Sequence, residues 1–469
     1  MPRIVIAAFD GLQPSQVTPE LMPTVTKLAE NGIRFLHNHA VFPTVTRSNS
    51  ASLVTGVTPG KHGLTANKSV FSEYSTTEVV DALIPKLSEI NHITNGGLLF
   101  VPTLGELISE KNLKWVSVVG GTNGNAFVQH PNAPDHGDVV IHTEFTNPPE
   151  HHDGILQKFG EWPAKEAPAA DLVKRTADVV IEYVLGELNP DVLLVWLPEP
   201  DTSQHAYGVD SLEAKEMYSL ADTQLKRILE TIVTSGEDPD LFVVSDHGYS
   251  TIGAVIDVPA EMDKAGFGSD QGDRSVIAAE NGGSVLFYTP TINQNLTDDF
   301  LEWLVSQEWV GAIATDLPNS SSTKFASISE IGLNGPRSPH IVVTMRSWTT
   351  GKPAPMASSG VTTGGKVGLG SHGGSSSAEL HNTLIASGPS FVNGVNSEIP
   401  SGNIDVAPTV LAMLGIPQPK HFDGRVLTEA LKSNVSGDYS DRQKITNNLP
   451  SALIRNSGHD GITYLCEFG

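Results

Sequence analysis

The chain has 469 residues, and its 29 basic and 53 acidic side chains give a formal charge of −24. That length can bury a large core and predicts two or three structural units, while the negative balance argues against a nucleic-acid polymer or an anionic membrane as the main partner. The single cysteine, Cys466, excludes intrachain disulfides and cysteine-based metal sites.

A phosphate substrate stays compatible with this charge, because bound cations can reverse the potential inside one cleft. At the amino terminus the apolar run Ile4–Phe9 is shorter than a secretory h-region and has no small-residue cleavage site behind it. No stretch approaches a membrane span. The sequence therefore predicts a soluble, cytoplasmic protein.

Ile4–Phe9 is continuously apolar, the pattern of a parallel strand buried on both faces. It ends at Asp10-Gly11, where a carboxylate is either a turn residue or a ligand at the carboxyl end of a strand. A helix is predicted over 23–30 and a strand over 33–36. The strand leads into AVFPTVTRSNSASLVTG at 40–56. This stretch reads as a strand end turning into a short helix with Thr46 near its start. Unpaired N–H groups and the helix dipole favour negative charge there. Alone, Thr46 would be a helix cap.

Turn chemistry follows through 57–67, then a helix over 102–111 and a strand over 115–119. Glycine, proline, asparagine and histidine dominate 120–169. Its five histidines (His130, His136, His142, His151 and His152) match no ligand spacing, so the segment reads as a solvated insertion. An amphipathic helix over 171–188 precedes the apolar strand 191–197, which ends in PEPDTSQHAYG. A helix over 214–235 and a strand over 241–244, ending in SDHG, come next.

Residues 262–365 change character: two glycine-rich loops surround a strand at 284–288, a helix at 298–308 and a strand at 310–314. A strand at 341–345 is read as able to rejoin the main sheet. The glycine loop 364–374 contains SHGG, followed by a strand at 383–386 and a helix at 405–414. The alternation predicts an α/β fold on a doubly wound, mostly parallel sheet in three layers. The expected division is a core of 1–261 and 366–431, a smaller α+β insertion of 262–365, and a C-terminal extension of 432–469.

Four segments place metal-type residues at strand ends or in the glycine loop: Asp10, then Asp201 with His205, then Asp246 with His247, and His372. Each alone has an ordinary role as a cap, a turn or a surface residue. Together, three aspartates and three imidazoles without a thiolate suit Zn²⁺ first, then Mn²⁺ or Fe. Six ligands divide into two open three-ligand sites. Two cations ~4 Å apart can clamp the attacking and leaving oxygens of an in-line displacement, and one would acidify the otherwise weak Thr46 nucleophile.

The ordered stretches FDG (9–11), PTVTRSNSASLVTG (43–56), PGKHGL (59–64), EPDTSQHAYG (199–208), SDHG (245–248), SHGG (371–374), ASGPSF (386–391) and DVAPTVLAMLGIP (405–417) resemble the alkaline phosphatase superfamily. Within it they resemble the type I phosphodiesterase / nucleotide pyrophosphatase branch, over roughly residues 3–430. The resemblance implies an alkaline phosphatase-like fold and two divalent metal ions. Asp201, His205 and His372 would hold one ion; Asp10, Asp246, His247 and the Thr46 oxygen would hold the other. Thr46 would attack phosphorus and form a phospho-threonine that water then hydrolyses. Asn67 matches the asparagine that binds a phosphate oxygen, and Trp196 falls where relatives carry a base-stacking aromatic.

Two positions depart from the pattern. Arg47 stands where nucleotide pyrophosphatases resemble one another in having phenylalanine, and either grips a carboxylate or second phosphate or points to solvent. Ser50 stands where sulfatases carry an arginine, which sets the sulfatase reading aside. The expected activity is hydrolysis of phosphodiester or pyrophosphate bonds in a small-molecule substrate. Alternatives are a phosphomonoesterase, a phosphonoacetate-hydrolase-like enzyme acting on phosphonates, and a metal-binding pseudoenzyme. A dehydrogenase-type nucleotide site is disfavoured, since no G-x-G-x-x-G follows the first strand. Oligomeric state is not legible.

Overall fold

The computed structural model describes residues 3–268, 271–290, 293–317, 325–434, 439–440, 442–446, 453–457 and 462–469. Its centre is a nine-stranded sheet. The strands are β1 (Ile4–Phe9), β2 (Ile33–Phe35), β3 (Trp115–Val119), β4 (Val139–His142), β5 (Thr146–Asn147), β6 (Val192–Leu197), β7 (Asp240–Val244), β8 (Leu384–Ser387) and β9 (Val395–Ser397). Their order is β9-β2-β8-β7-β1-β6-β3-β4-β5. β1 lies in the middle, parallel to both β7 and β6, with Ile4 opposite Asp240 on one side and Val192 on the other. The three strands therefore end level with one another, and their carboxyl ends open on the same edge.

Alternate residues of β1 enter two cores. Val5, Ala7 and Phe9 pack with helices α1 (Pro23–Glu30), α4 (Ala170–Val179) and α6 (Leu212–Thr234). Ile4, Ile6 and Ala8 pack with α2 (Thr46–Thr55), α3 (Leu104–Ser109) and α7 (Val406–Met413). Both faces are covered, which is why the strand is apolar throughout. A short helix, α5 (Asp201–Tyr207), starts four residues after the end of β6. These are the three layers expected from the sequence.

The structure departs from expectation in two places. Residues 120–169 are not a solvated insertion: β4 and β5 extend the main sheet, and Val139–His142 is buried throughout. The histidines misled because His130 and His142 are buried, His130 against Asp138 at 3.0 Å and His142 against the Gly121 carbonyl at 3.2 Å. Polar residues satisfied inside a core look like surface residues in sequence. The strand Ile341–Met345 does not rejoin the main sheet. It sits within a separate antiparallel sheet with Ile277–Glu280, Ser284–Tyr288 and Val310–Thr315. It is apolar because it is covered on both faces by other cores.

Of the C-terminal residues, Gln443–Thr446, Leu453–Ser457 and Thr463–Phe468 form a three-stranded antiparallel sheet. It docks on the core through Tyr464, whose hydroxyl donates to Asp405 Oδ2 at 2.8 Å. Among the described residues no helix is long and apolar enough to cross a membrane.

Gly32, just before β2, lies so close to β8 that an added Cβ would sit 2.1 Å from the Ala386 carbonyl oxygen and 2.8 Å from Ser387 Cβ. Gly32→Ala is expected to lower stability by about 1–3 kcal/mol, seen as a lower urea midpoint. An unchanged midpoint would mean that β2 does not approach β8 this closely.

Candidate active site

Asp10, Asp201 and Asp246 follow β1, β6 and β7, so three neighbouring strands deliver three carboxylates to one place, and all three are buried. Backbone and side-chain donors fix them. Gly11 N–H donates to Asp246 Oδ1 at 3.0 Å, Trp196 Nε1–H to Asp10 Oδ2 at 3.0 Å, and the Tyr249 hydroxyl to Asp201 Oδ1 at 2.5 Å. The remaining oxygens, Asp10 Oδ1 and Asp246 Oδ2, are buried and accept no hydrogen bond. Both face His247 Nε2, at 3.7 and 3.1 Å.

The imidazoles are held in one common way. Nδ1 of His205, His247 and His372 lies 3.1, 3.0 and 2.7 Å from the carbonyl oxygens of Gly370, Gly248 and Thr44. A carbonyl only accepts, so each ring donates from Nδ1, and in its neutral form turns an Nε2 lone pair inward. His205 Nε2 and His372 Nε2 lie 3.3 and 3.4 Å from Asp201 Oδ1 and 3.1 Å from each other. Lone pairs thus face lone pairs and carboxylate oxygens, an arrangement that calls for cations between them.

The charges say the same. Burial, then Asp246 and Asp201, pushes the Asp10 carboxyl well above its usual range. Burial would lower His247, but Asp246, Asp10 and Asp201 outweigh it and raise it to about 9. Burial and the neighbouring His247 lower His372 to about 4. For Asp201, His205 and His372 outweigh burial and hold the carboxyl well below the usual range. The cluster demands positive charge at its centre. Asp10, Asp246 and His247 form one group with ligand atoms within 4.8 Å of one another, and Asp201, His247 and His372 form a second. His205 joins the second through the contacts above. The donor set and its two orphaned oxygens fit two divalent cations.

Thr46 is the first residue of α2, not its cap: Val45 takes that position in extended conformation, and no side chain caps the helix. The Thr46 hydroxyl, half-buried, is therefore free to face the cluster, 3.4 Å from His247 Nε2. Asn67 is beside it. The Arg47 backbone N–H donates to Asn67 Oδ1 at 3.0 Å, which leaves the Asn67 amide hydrogens free for another acceptor. The Arg47 side chain grips a carboxylate, but an internal one: Nη1 bonds Asp81 Oδ1 at 2.5 Å and the Asn67 carbonyl at 3.2 Å, and Nε reaches Thr122 Oγ1 at 3.4 Å.

Trp196 does not have the expected role. It points from β6 into the core, is 1% exposed, and spends its N–H on Asp10. A ring closed off in this way cannot stack on a base. Every residue of β6 is buried, so its apolar pattern carries no sign of which way Trp196 faces.

Sequence reasoning also missed the bonds that join the loops. The Thr44 hydroxyl donates to the Gly374 carbonyl at 2.7 Å and accepts from Gly373 N–H at 2.9 Å. The buried Glu379 carboxylate accepts Gly374 N–H at 2.5 Å, and its backbone carbonyl accepts Gly248 N–H at 2.7 Å. Nothing in the sequence marks Glu379. Thr44, two residues before Thr46, lay inside the quoted motif without a role.

Two cavities flank the centre. One, of about 360 Å³, is lined by Arg47, Asn67, Lys68, His205, His372 and the turn at 280–282. The other, of about 460 Å³, lies beyond Thr122 and is lined by Leu83, Glu144, Trp162 and Lys165. Lys165 reaches the site electrostatically, favouring the ionised form of Asp10. Both Trp162 and Lys165 fall in the stretch read as a solvated insertion.

The sequence matches the family described as type I phosphodiesterase / nucleotide pyrophosphatase over residues 4–346. Mouse ectonucleotide pyrophosphatase/phosphodiesterase family member 7 is 23% identical over 257 residues, 53% of this chain and 50% of the relative. Ectonucleotide pyrophosphatase/phosphodiesterase 1 of Saccharomyces cerevisiae is 27% identical over 277 residues, 54% of this chain and 34% of the relative. The chain thus spans half or less of the length of these curated relatives, and their names describe ectoenzymes. Among solved structures, an inactive murine ectonucleotide pyrophosphatase/phosphodiesterase 5 in complex with AMP superposes with a TM-score of 0.64 at 16% identity, covering 93% of this chain and 99% of the other. The human protein 5 gives 0.63 at 16% identity, covering 89% and 96%. At that identity the likeness establishes the fold.

Trp196→Phe keeps the ring's bulk in the core and removes the donor to Asp10. It is expected to weaken divalent-metal retention about 10–100-fold with the thermal midpoint little changed, read by metal analysis across a chelator series. Undiminished retention would show that this bond does not orient Asp10.

Proposed function

Because the chain belongs to the type I phosphodiesterase / nucleotide pyrophosphatase family, we propose that it hydrolyses phosphodiester or pyrophosphate bonds in small molecules with Thr46 as nucleophile. The observation that carries this is the uncapped Thr46 hydroxyl at the start of α2, 3.4 Å from His247 Nε2 and facing both ligand groups. Asp10, Asp246 and His247 would hold one divalent cation, with the Thr46 oxygen beside it, and Asp201, His205 and His372 the other, Zn²⁺ first on the chemistry of the donors. When bound, such cations acidify a neighbouring hydroxyl and neutralise charge on phosphate oxygens.

In this reading the Thr46 oxygen attacks phosphorus as its proton is lost. The bond to the leaving oxygen breaks, and a water hydrolyses the resulting phospho-threonine. The free amide hydrogens of Asn67 donate to a phosphate oxygen, next to N–H groups of the first turn of α2 that have no helical acceptor. The Asp81 partner of Arg47 favours diesters over monoesters, since a guanidinium already neutralised by a carboxylate offers little to an extra anionic oxygen. The AMP of the murine neighbour makes a nucleotide the first candidate for the group beyond phosphorus. In this reading Trp162, which lines a cavity together with Lys165, would receive the base.

The test is hydrolysis of bis-p-nitrophenyl phosphate against p-nitrophenyl phosphate with added zinc. The diester should be the better substrate, and Thr46→Ala should lower its turnover by at least ~10³-fold. A variant as active as the parent would remove Thr46 from the nucleophile's role. A parent that binds two metals but cleaves neither ester would point to a phosphonate substrate or a binding protein.

A further inference from the structure

The turn Asn281-Gly282-Gly283, between two strands of the separate antiparallel sheet, reaches out of the insertion onto the catalytic core. Asn281 is 5% exposed. Its side-chain amide treats Lys68 as a neighbouring strand would: Oδ1 accepts Lys68 N–H at 2.9 Å, and Nδ2 donates to the Lys68 carbonyl at 2.9 Å and to Ala279 O at 3.1 Å. Lys68 is the residue after Asn67. The same turn holds the SHGG loop, with Gly283 N–H donating to His372 O at 3.1 Å.

The glycines are required by this approach. A Cβ on Gly282 would lie 2.4 Å from His372 O, and one on Gly283 would lie 2.4 Å from Gly374 N. A Cβ on Gly373 would lie 1.9 Å from Asn281 O. Two glycine turns therefore pack backbone on backbone, and one asparagine bridges from them to the loop that carries Asn67.

We propose that Asn281 is a positioning residue that sets the Asn67 amide against the substrate phosphate and so makes the insertion a working wall of the active site. The inference rests on the reading of Asn67 as the phosphate-binding amide. Asn67 itself is held by its carbonyl, which accepts Ala82 N–H at 2.8 Å and Arg47 Nη1 at 3.2 Å, and by its Oδ1, which accepts the Arg47 amide. The paired bonds to Lys68 hold the next residue of the chain. Asparagine is the side chain that does this: aspartate lacks the donor, and glutamine is one carbon too long for the same approach.

The experiment is a double-mutant cycle on the full zinc-loaded chain, with Asn281→Ala, Asn67→Ala and the double variant. It reads kcat and KM for bis-p-nitrophenyl phosphate and, by calorimetry, the affinity for inorganic phosphate. Asn281→Ala is expected to lower kcat/KM about tenfold, mostly through KM, and to weaken phosphate binding in parallel, with metal content unchanged. In the Asn67→Ala background it should cost nothing further. Losses that multiply independently, or an Asn281→Ala chain with parental kinetics, overturn the inference alone. An Asn67→Ala chain with parental kinetics and phosphate affinity overturns the reading of Asn67, and the inference with it. Asn281→Asp, which keeps the acceptor for Lys68 N–H, serves the same cycle if the alanine variant does not fold.

Discussion

Three buried carboxylates on three adjacent strand ends are the constraint around which this molecule is built. Two like charges 4 Å apart cost roughly 4 kcal/mol at an effective dielectric of 20, and desolvation adds to that. The cost is visible in Asp10, pushed far from its usual range by burial and by its two neighbours, and in His247, raised to about 9 against the effect of its own burial. Among the described residues no lysine or arginine pairs with any of the three; their ion-pair partners are the imidazoles of His205, His247 and His372, each with its Nδ1 on a carbonyl. The surrounding donors, from Gly11 N–H, Trp196 and Tyr249, hold individual oxygens but leave two uncommitted. A fold that keeps such a cluster has to be organised for positive charge at its centre.

That requirement reaches outward through the backbone. Each imidazole needs a carbonyl at a set place, so α5 is tied through His205 to Gly370 and the SHGG loop through His372 to Thr44, while His247 uses the carbonyl of its neighbour Gly248. Thr44 belongs to the same loop as Thr46, and Glu379 binds both the SHGG loop and, through its carbonyl, Gly248. Glu379 is a buried carboxyl surrounded by neutral donors, held above its usual range by burial. Its bonds to Gly374 N–H, the Thr44 hydroxyl and Gly248 N–H join three loops at one buried residue.

How much of this could be read from sequence depends on what each residue interacts with. Strand ends carrying aspartates are legible, because an apolar run buried on both faces is an unmistakable pattern and its last residue points to the sheet's open edge. The six imidazole and carboxylate positions converge as their order along the chain implied. Direction within a buried strand is not legible: Trp196 is one of six consecutive apolar residues, so periodicity carries no information about which way it faces. Residues 120–169 failed for the opposite reason, since His130 and His142 satisfy their polarity inside the core. Ile341–Met345 failed because apolarity reports burial and not which sheet buries it. Asn281 bonds Lys68 across 213 residues of chain, and Glu379 ties Gly374 to the distant Gly248, and one sequence read alone holds no trace of such contacts.

Arg47 shows how a single departure can redistribute recognition. A buried guanidinium beside the nucleophile would attract any anion, yet Asp81 takes its charge and Asn67 O and Thr122 take its remaining directions. It becomes part of the wall between two cavities rather than a phosphate clamp. On the side of Asn67 and Lys68 the wall is polar and its rings are the imidazoles of His205 and His372; on the side of Thr122 it leads to Trp162 and Lys165. In the proposed reaction the scissile phosphate sits over Thr46, so the group that departs and the group retained on phosphorus extend in different directions and meet different chemistry. An apolar or stacked group gains by entering the Trp162 side, where a buried aromatic contact contributes to binding. A small hydrated group loses least on the other. In that proposed reaction, with Arg47 committed to Asp81, the nucleophile's own helix offers a base no ring, and its recognition would fall to the 160–165 loop.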